Sequence, residues 1–493
     1  MSVLSELEPA DVFYYFEEIS RIPHGSYHEK EISDYLVHFA KEHDLEVWQD
    51  ELYNVVMKVP ATMGREKEEP LILQGHMDMV CEKKAGTAID MEQEGLSLYV
   101  DEDYICAKDT TLGGDDGIAL AYMLAIATDE GLSHPLLEYI ITVSEEVGME
   151  GASEIDLSML KGKCMLNLDS EEEGIFLTSC AGGIATISTL PVAWAKSPEL
   201  LWYELSVTGL VGGHSGCEID KGRANANRVL GRVLYEMKKQ IPFSIHAMEG
   251  GKKDNVIPIV AKVILGLEER DISEAECIIA ELEAVLRAEY AKSDASITLE
   301  WKQYMEEAES DNRQSRLVLD YESLEKVLTL LMALPDGVQG MSMSVPGLVE
   351  TSLNLGIMRL EQEHLFLQHS IRSSVATRKE EVASRVESLV CALGGSLERK
   401  GDYPAWEYKE ESEIRPRLIA LYEKMYGKKP VVEGIHAGLE CGLLAGKLKG
   451  LDCVSMGPDI LDIHTTEERL SISSTKRVYE FLKAFLEQKQ GAL

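Results

Sequence analysis

Apolar positions recur along this chain with two distinct periods. Between residues 28 and 43, Ile32, Tyr35, Leu36 and Phe39 stand at i, i+3, i+4 and i+7, which predicts a helix packed on a core by one face. Val55–Val59 and Leu71–Leu73 read as strands, the second a run of three aliphatic residues of the kind a buried strand shows. A segment from Ile118 to about Thr128 is apolar nearly all round (Ile118, Leu120, Tyr122, Met123, Leu124, Ile126), as a helix enclosed by the fold would be. Glu138–Ser144 and Met165–Leu168 are further strands. From about residue 186 the pattern changes. Strands at Leu201–Val207, Lys262–Leu267, Ser352–Ile357 and His364–Ile371 interleave with long amphipathic helices at Arg223–Gln240, Ser273–Lys292 and Lys379–Leu393. After Gly394-Gly395 an α/β pattern returns, with a helix at about Ser412–Tyr426, a short one opening near Glu440, a strand at Leu451–Met456 and a last helix carrying Val478, Phe481, Leu482 and Phe485.

The expected fold class is therefore α/β, with helices flanking a sheet domain and a large inserted α+β domain interrupting it. The expected parts are 1–185 (sheet domain, first part), 186–393 (insert) and 394–493 (sheet domain, second part). The insert reads either as one α+β domain or as two similar halves, with no sequence repeat to prove a duplication.

Composition narrows the function class. A chain of 493 residues exceeds the size at which one hydrophobic core usually stops growing. The hydrophobic share of 45% is that of an ordinary globular protein, and no stretch has the ~18 continuous apolar residues of a membrane span. The acidic start Met-Ser-Val-Leu-Ser-Glu-Leu-Glu shows no secretory signal. An odd set of 9 cysteines without a CxxC pair points to a reducing, cytoplasmic setting. A net charge of −38 disfavours nucleic acid and anionic membrane as partners, because both need a cationic face.

Chemistry gathers at strand ends. Leu71-Ile-Leu-Gln-Gly-His-Met-Asp78 predicts a strand stopped by Gly75, then His76 and Asp78 on one side of extended chain. Taken alone, this is a capped strand end with a His-Asp pair. Lys108-Asp-Thr-Thr-Leu-Gly-Gly-Asp-Asp-Gly117 is a glycine-rich turn that places Asp115 and Asp116 at a helix start, where one of them would serve as an N-cap. The strand ending at Ser144 runs into Glu145-Glu146, and Met165–Leu168 runs into Asp169. His464 follows a Gly457-Pro458 turn after the strand Leu451–Met456. Ligands bind at the carboxyl ends of strands in open α/β sheets. Two imidazoles and several carboxylates, with no thiolate pattern, suit borderline divalent ions such as Zn²⁺, Co²⁺ or Mn²⁺. Seven such residues suffice for two ions sharing a carboxylate, with two carboxylates left over to orient a histidine and to take a proton.

The order Gly75-His-x-Asp78, Gly-Asp-Asp-Gly, Glu-Glu, Asp169, Gly-Gly-His214 and His464 resembles the zinc aminopeptidase/carboxypeptidase superfamily with an inserted lid domain (M20-type). Within it the chain looks like the cytosolic Xaa-His dipeptidase branch. That assignment leans on Ile22-Pro-His-Gly-Ser26, the Gly-His-Met-Asp-Met-Val run, the long insert and Asp402-Tyr-Pro-Ala-Trp406. Gly-Gly-Asp-Asp-Gly stands where Gly-Ala-Asp-Asp-Gly is often seen. The resemblance implies two divalent ions, most readily Zn, bridged by Asp115. His76 and Asp169 would complete one ion, and Glu146 and His464 the other. Asp78 would hold the His76 ring and Glu145 would be the general base. His214, Asn255, Arg372 and Gly438 match substrate-binding positions, with His214 serving a partner subunit's site. The insert would then be a lid that forms a homodimer, and the substrate a short peptide. The implied reaction is hydrolysis of Xaa-His and related dipeptides, β-alanyl-histidine included. Two other readings keep less of this: an N-acyl amino-acid deacylase or tripeptidase with the same centre, and a peptide-binding relic without activity. A relic has no need of a base such as Glu145.

Overall fold

A computed structural model of the protein describes residues 3–305 and 312–489. The chain divides into two compact units. The first comprises Met1–Cys180, Tyr408–Gly434 and Leu439–Leu493, and the second Ala181–Glu407 and Ile435–Gly438. The boundaries therefore fall later than 393 on one side and earlier than 186 on the other. Strand Gly182–Pro191 pairs along its length with His364–Ser373, and Ser396–Tyr403 pairs with it on its other side, so both belong to the second unit. The brief return at Ile435–Gly438 has no counterpart in the expected division.

The first unit is built on an eight-stranded sheet. Its order is Glu46–Gln49, Val55–Val59, Leu137–Thr142, Leu71–His76, Cys164–Asn167, Asp452–Ser455, Ile175–Cys180 and Val431–Ile435. Four consecutive members, from Leu137–Thr142 to Asp452–Ser455, run parallel, with Leu71 opposite both Leu137 and Cys164. Every residue of Leu71–His76 and Leu137–Thr142 is buried, as expected for strands covered on both faces. Helix Gly114–Thr128 packs on this sheet and is buried from Gly114 to Ile126, so the all-round apolar pattern finds its enclosed place. Gly75 does not stop its strand; the strand continues to His76. A Cβ at position 75 would stand 2.5 Å from the Asp116 carboxylate and 2.7 Å from Ala119, so the glycine admits the helix start against the strand. Among the elements outside the expected pattern are helix Ala10–Ser20 and a four-stranded sheet of Ile460–Leu461, Arg469–Ser471, Tyr104–Ala107 and Leu98–Asp101.

The second unit holds a ten-stranded sheet, eight strands of which form two halves. The first half runs strand Leu200–Thr208, helix Ala226–Lys238, strands Ser244–Gly250 and Ala261–Leu267, helix Ile272–Glu289, strand Thr298–Gln303. The second runs strand Gly182–Pro191, helix Tyr321–Ala333, strands Val349–Leu360 and His364–Ser373, helix Ala376–Ala392, strand Ser396–Tyr403. Both are βαββαβ units. Numbered within each half, the strands lie in the order 4-1-3-2 and then 2-3-1-4, so the two second strands meet at Glu249–Arg359 and Gly250–Met358. The two-halves expectation is thus a structural fact without a sequence repeat. The first half is inserted into the second through an antiparallel ribbon of Trp194–Lys196 and Leu317–Leu319. No helix among the described residues is long and apolar enough to cross a membrane.

The core of this unit encloses His369, fully buried in strand His364–Ser373, with no hydrogen-bond partner on either ring nitrogen among the described residues. Burial, and after it the Arg228 charge, push its pKa from 6.5 down to about 3. A depressed histidine binds its proton in the unfolded chain before the folded one does. Its stabilising contribution is therefore full above pH 6.5 and is lost as pH falls towards about 3. From about pH 7.5 to about pH 5 the loss is about 2 kcal/mol. Denaturant titrations at the two pH values should show this difference in wild type, and His369→Leu should remove most of it.

Candidate metal centre

Three neighbouring parallel strands of the first unit deliver ligand-type residues at their carboxyl ends. Leu71–His76 ends in His76, Leu137–Thr142 leads to Glu145 and Glu146, and Cys164–Asn167 leads to Asp169. The fourth parallel strand, Asp452–Ser455, leads through Gly457-Pro458 to the loop that carries His464. These sequence-separated residues converge because the parallel register aligns their strand ends.

His76 is buried. Its Nδ1 lies 2.9 Å from the backbone carbonyl of Asp78 and 3.4 Å from the Asp78 carboxylate. The ring N–H is therefore donated at Nδ1, chiefly to the carbonyl rather than to the carboxylate alone, and the Nε2 lone pair is free to face the centre. Nε2 stands 3.1 Å from Asp115 Oδ1 and 3.6 Å from Asp169 Oδ1. On the other side His464 Nε2 lies 3.3 Å from Asp115 Oδ2 and 3.0 Å from Glu146 Oε1. Asp115 thus turns one oxygen to each histidine. Asp78 does more than face a ring. Its oxygens accept the backbone N–H groups of Glu145 (3.0 Å) and Glu146 (3.3 Å) and the Ser26 hydroxyl (2.7 Å).

The other aspartate of the pair, Asp116, caps nothing. Its carboxylate accepts the His76 backbone N–H at 3.2 Å, and helix Gly114–Thr128 has no side-chain cap at Gly113. The donors at the helix start go instead to Glu468, whose Oε2 accepts from Leu112 (2.7 Å) and Gly113 (3.2 Å) and whose Oε1 accepts from Gly114 (2.8 Å) and Asp115 (3.4 Å). The Asp115–Asp116 peptide bond is cis. The expectation of an N-cap aspartate is overturned by a glutamate more than three hundred residues away in the chain.

Charge at this spot is unbalanced. Among the described residues, the ion pairs of Asp78, Asp115, Glu146 and Asp169 are to His76 and His464 alone, with no lysine or arginine. Hydrogen bonds to Asp115 and Glu146 push His464 up to about 10. Burial would lower His76, but its bonds to Asp115, Asp169 and Asp78 hold it well above the usual value. Burial pushes Asp169 up to about 6 and raises Glu145 well above the ordinary carboxylate range. Burial would also raise Asp115, but the two histidines hold it low. A cluster that draws this much positive charge into a buried space fits divalent cations, which would replace shared protons. Two sets of ligand atoms lie within 4.8 Å of one another: His76, Asp115 and Glu146, and His76, Asp116 and Asp169. His464, with its side chain 44% exposed, is the open side of the centre.

His214, Asn255, Arg372 and Gly438 all fall in the second unit. His214 Nδ1 accepts the backbone N–H groups of Gly216 (3.3 Å) and Cys217 (3.2 Å), so the neutral ring carries its proton on Nε2. Burial and the Arg372 charge keep it neutral. Arg372 is held by the Tyr403 hydroxyl at 3.0 Å. Asn255 is exposed, and its backbone carbonyl accepts the Ser215 N–H at 2.9 Å. Gly438 ends the short segment whose carbonyls at Ile435 and Ala437 accept the Ala181 N–H.

Four residues of the two clusters escape the sequence reading. Ser26 holds Asp78, Glu29 accepts the Ser144 N–H (3.0 Å) and hydroxyl (2.9 Å) just before Glu145, and Glu468 takes the Asp115 turn. His436 sits beside Ser352 Oγ at 2.7 Å, pushed down to about 4 by burial and the Arg372 charge. Ser26 lies in a quoted motif, but the run Thr-Thr-Glu-Glu468 carries no signal that separates its second glutamate from a solvated one.

A family profile described as a peptidase dimerisation domain matches residues 205–294, within the first half of the second unit. The cytosol non-specific dipeptidase of Escherichia coli (strain K12) is 34% identical over 489 residues, 99% of this chain and 99% of that protein. The crystal structure of the aminoacylhistidine dipeptidase from Vibrio alginolyticus matches with a TM-score of 0.92 and 34% identity, covering 98% of this chain and 97% of the other. The aminopeptidase PepT from Bacillus cereus shares the fold, with a TM-score of 0.56, 16% identity and 98% of each chain covered.

Proposed function

Because the chain belongs to the dipeptidases of the M20 metallopeptidase family, and is a peptide hydrolase, we propose that it cleaves Xaa-His and related dipeptides, β-alanyl-histidine among them, at a dinuclear centre in its first unit. The observation that carries this reading is Asp115, with one oxygen towards His76 and the other towards His464. Asp115 would be shared between two divalent ions, Zn most readily and Co or Mn as alternatives. His76 and Asp169 would hold one ion, Glu146 and His464 the other. When bound, the ions supply Lewis acidity that polarises the scissile carbonyl and makes a water acidic near neutral pH.

The remaining work falls to side chains. Glu145, not needed as a ligand, accepts the water's proton as attack begins and returns it to the leaving amine. Its raised pKa, from burial and then from Asp169, Glu440 and Asp115, suits a group that must hold a proton between the two steps. Asp78 fixes the turn that presents Glu145 by accepting two of its backbone N–H groups. His214, read as serving the partner subunit's site, would offer an Nε2–H donor to the oxyanion there. Arg372, Asn255 and Gly438 bind the C-terminal end of the substrate, a carboxylate that the guanidinium suits. The match to a dimerisation domain supports a homodimer formed through the second unit, and the relative's cytosolic name supports a cytoplasmic setting.

Purified protein should contain about two divalent ions per chain by elemental analysis. Reconstituted with Zn²⁺, Mn²⁺ or Co²⁺, it should hydrolyse Xaa-His dipeptides with kcat/KM at least about tenfold above that for tripeptides and N-acyl amino acids. Equal or better cleavage of the latter two classes would overturn the dipeptide assignment.

A further inference from the structure

The start of helix Gly114–Thr128 poses a conflict of demands. A helix leaves its first N–H groups without partners, and a nearby aspartate is the usual acceptor. If Asp115 answered that demand, one of its oxygens would turn away from the centre. It does not answer it: Asp115 and Asp116 have non-helical dihedrals, so the regular helix begins after them, and Glu468 accepts the N–H groups of the turn that leads into it, at Leu112, Gly113, Gly114 and Asp115. Glu468 is 4% exposed, so these bonds form away from water. It also follows His464 by four residues, and His464 faces Asp115 Oδ2. One short stretch of the C-terminal segment therefore grips the same turn twice, by its backbone and by its side chain.

We infer that Glu468 is a positioning residue for the metal centre: by taking the backbone donors of residues 112–115, it leaves both oxygens of Asp115 to the two ions. This rests on the reading of Asp115 as the shared ligand. The proposed role differs from that of an ordinary helix cap, and the molecule contains a fair control. Asp452 caps helix Ile414–Tyr426 in the same remote manner, accepting the N–H groups of Glu413 (2.5 Å) and Ile414 (3.0 Å) from the start of its strand.

The test compares Glu468→Gln, Glu468→Asp, Asp452→Asn and Asp115→Ala in the full-length protein by competition for Zn²⁺ with a chelator, alongside thermal unfolding of the metal-free forms. In Glu468→Gln an amide N–H₂ would confront backbone donors, so affinity for the more weakly held ion should fall by about 10–100-fold. Glu468→Asp, which keeps the charge but shortens the reach, should fall in between and serves if the glutamine variant does not fold. Asp452→Asn should lower the unfolding temperature yet leave both affinities within about twofold, as a lost cap alone predicts. Wild-type affinity in Glu468→Gln or Glu468→Asp, or an equal loss in Asp452→Asn, overturns the inference. Should Asp115→Ala also retain both ions at wild-type affinity, the shared-ligand reading itself has failed; loss there with retention in the Glu468 variants rejects the positioning role alone.

Discussion

Glu145→Ala should bind about two divalent ions and turn over dipeptide about 10²–10⁴-fold more slowly than wild type, the span typical of losing a placed general base. The two halves of that statement have separate structural grounds. The metal should remain because the ligand-type atoms converging on the centre come from His76, Asp115, Glu146, Asp169 and His464. The backbone N–H of residue 145, which bonds to Asp78, survives the substitution, so the turn keeps its shape. Turnover should collapse because the carboxylates beside it in the turn and strand are committed elsewhere: Asp78 accepts two N–H groups and a hydroxyl, and Asp116 accepts the His76 N–H. Glu145→Gln should behave alike, since the amide matches the shape but takes no proton. Single-turnover rates beside elemental analysis decide the matter, and wild-type-like turnover in either variant would remove Glu145 from the base role.

Asp115→Ala should fail differently. Removing the residue that faces both histidines leaves His76 with Asp169 and His464 with Glu146, two incomplete pairs without a shared anion. Metal content should fall from about two ions to about one or fewer, and activity should be lost with it and not return under excess metal. Glu145→Ala with full metal and no turnover, set against Asp115→Ala with neither, separates proton transfer from metal retention. A variant of Asp115 that kept two ions would dismantle the bridged arrangement.

What the sequence disclosed about the centre depended on locality. His76, Asp169 and the Glu145-Glu146 pair are contiguous with the apolar runs that make their strands, so a strand and its terminal chemistry are read together. Ser26, Glu29 and Glu468 act on turns far away in the chain, and nothing beside them announces it. The division into parts erred for a related reason. Gly182-Gly183 and Gly394-Gly395 look like linkers, but the first pair lies inside strand Gly182–Pro191 and the second makes the turn between helix Ala376–Ala392 and strand Ser396–Tyr403. At Gly183 a side chain would meet the Tyr403 ring at 2.5 Å, so the glycine serves packing between strands rather than freedom between domains. Helix Tyr321–Ala333 is the opposite case: Leu324, Val327, Leu328 and Leu331, with Asp320 as its N-cap, carry an ordinary helical signal that the expected pattern omits.

The nested layout of the second unit also sets an order in time. On the ribosome, strand Gly182–Pro191 is made before the whole of the first half, yet its neighbours, His364–Ser373 and Ser396–Tyr403, are made after it. The first half is one uninterrupted stretch and can close on its own strands as it emerges. Meanwhile Gly182–Pro191 waits with both edges open, the condition in which a strand recruits the wrong chain. Nascent chains halted between residues 320 and 360 should therefore be those most in need of a chaperone.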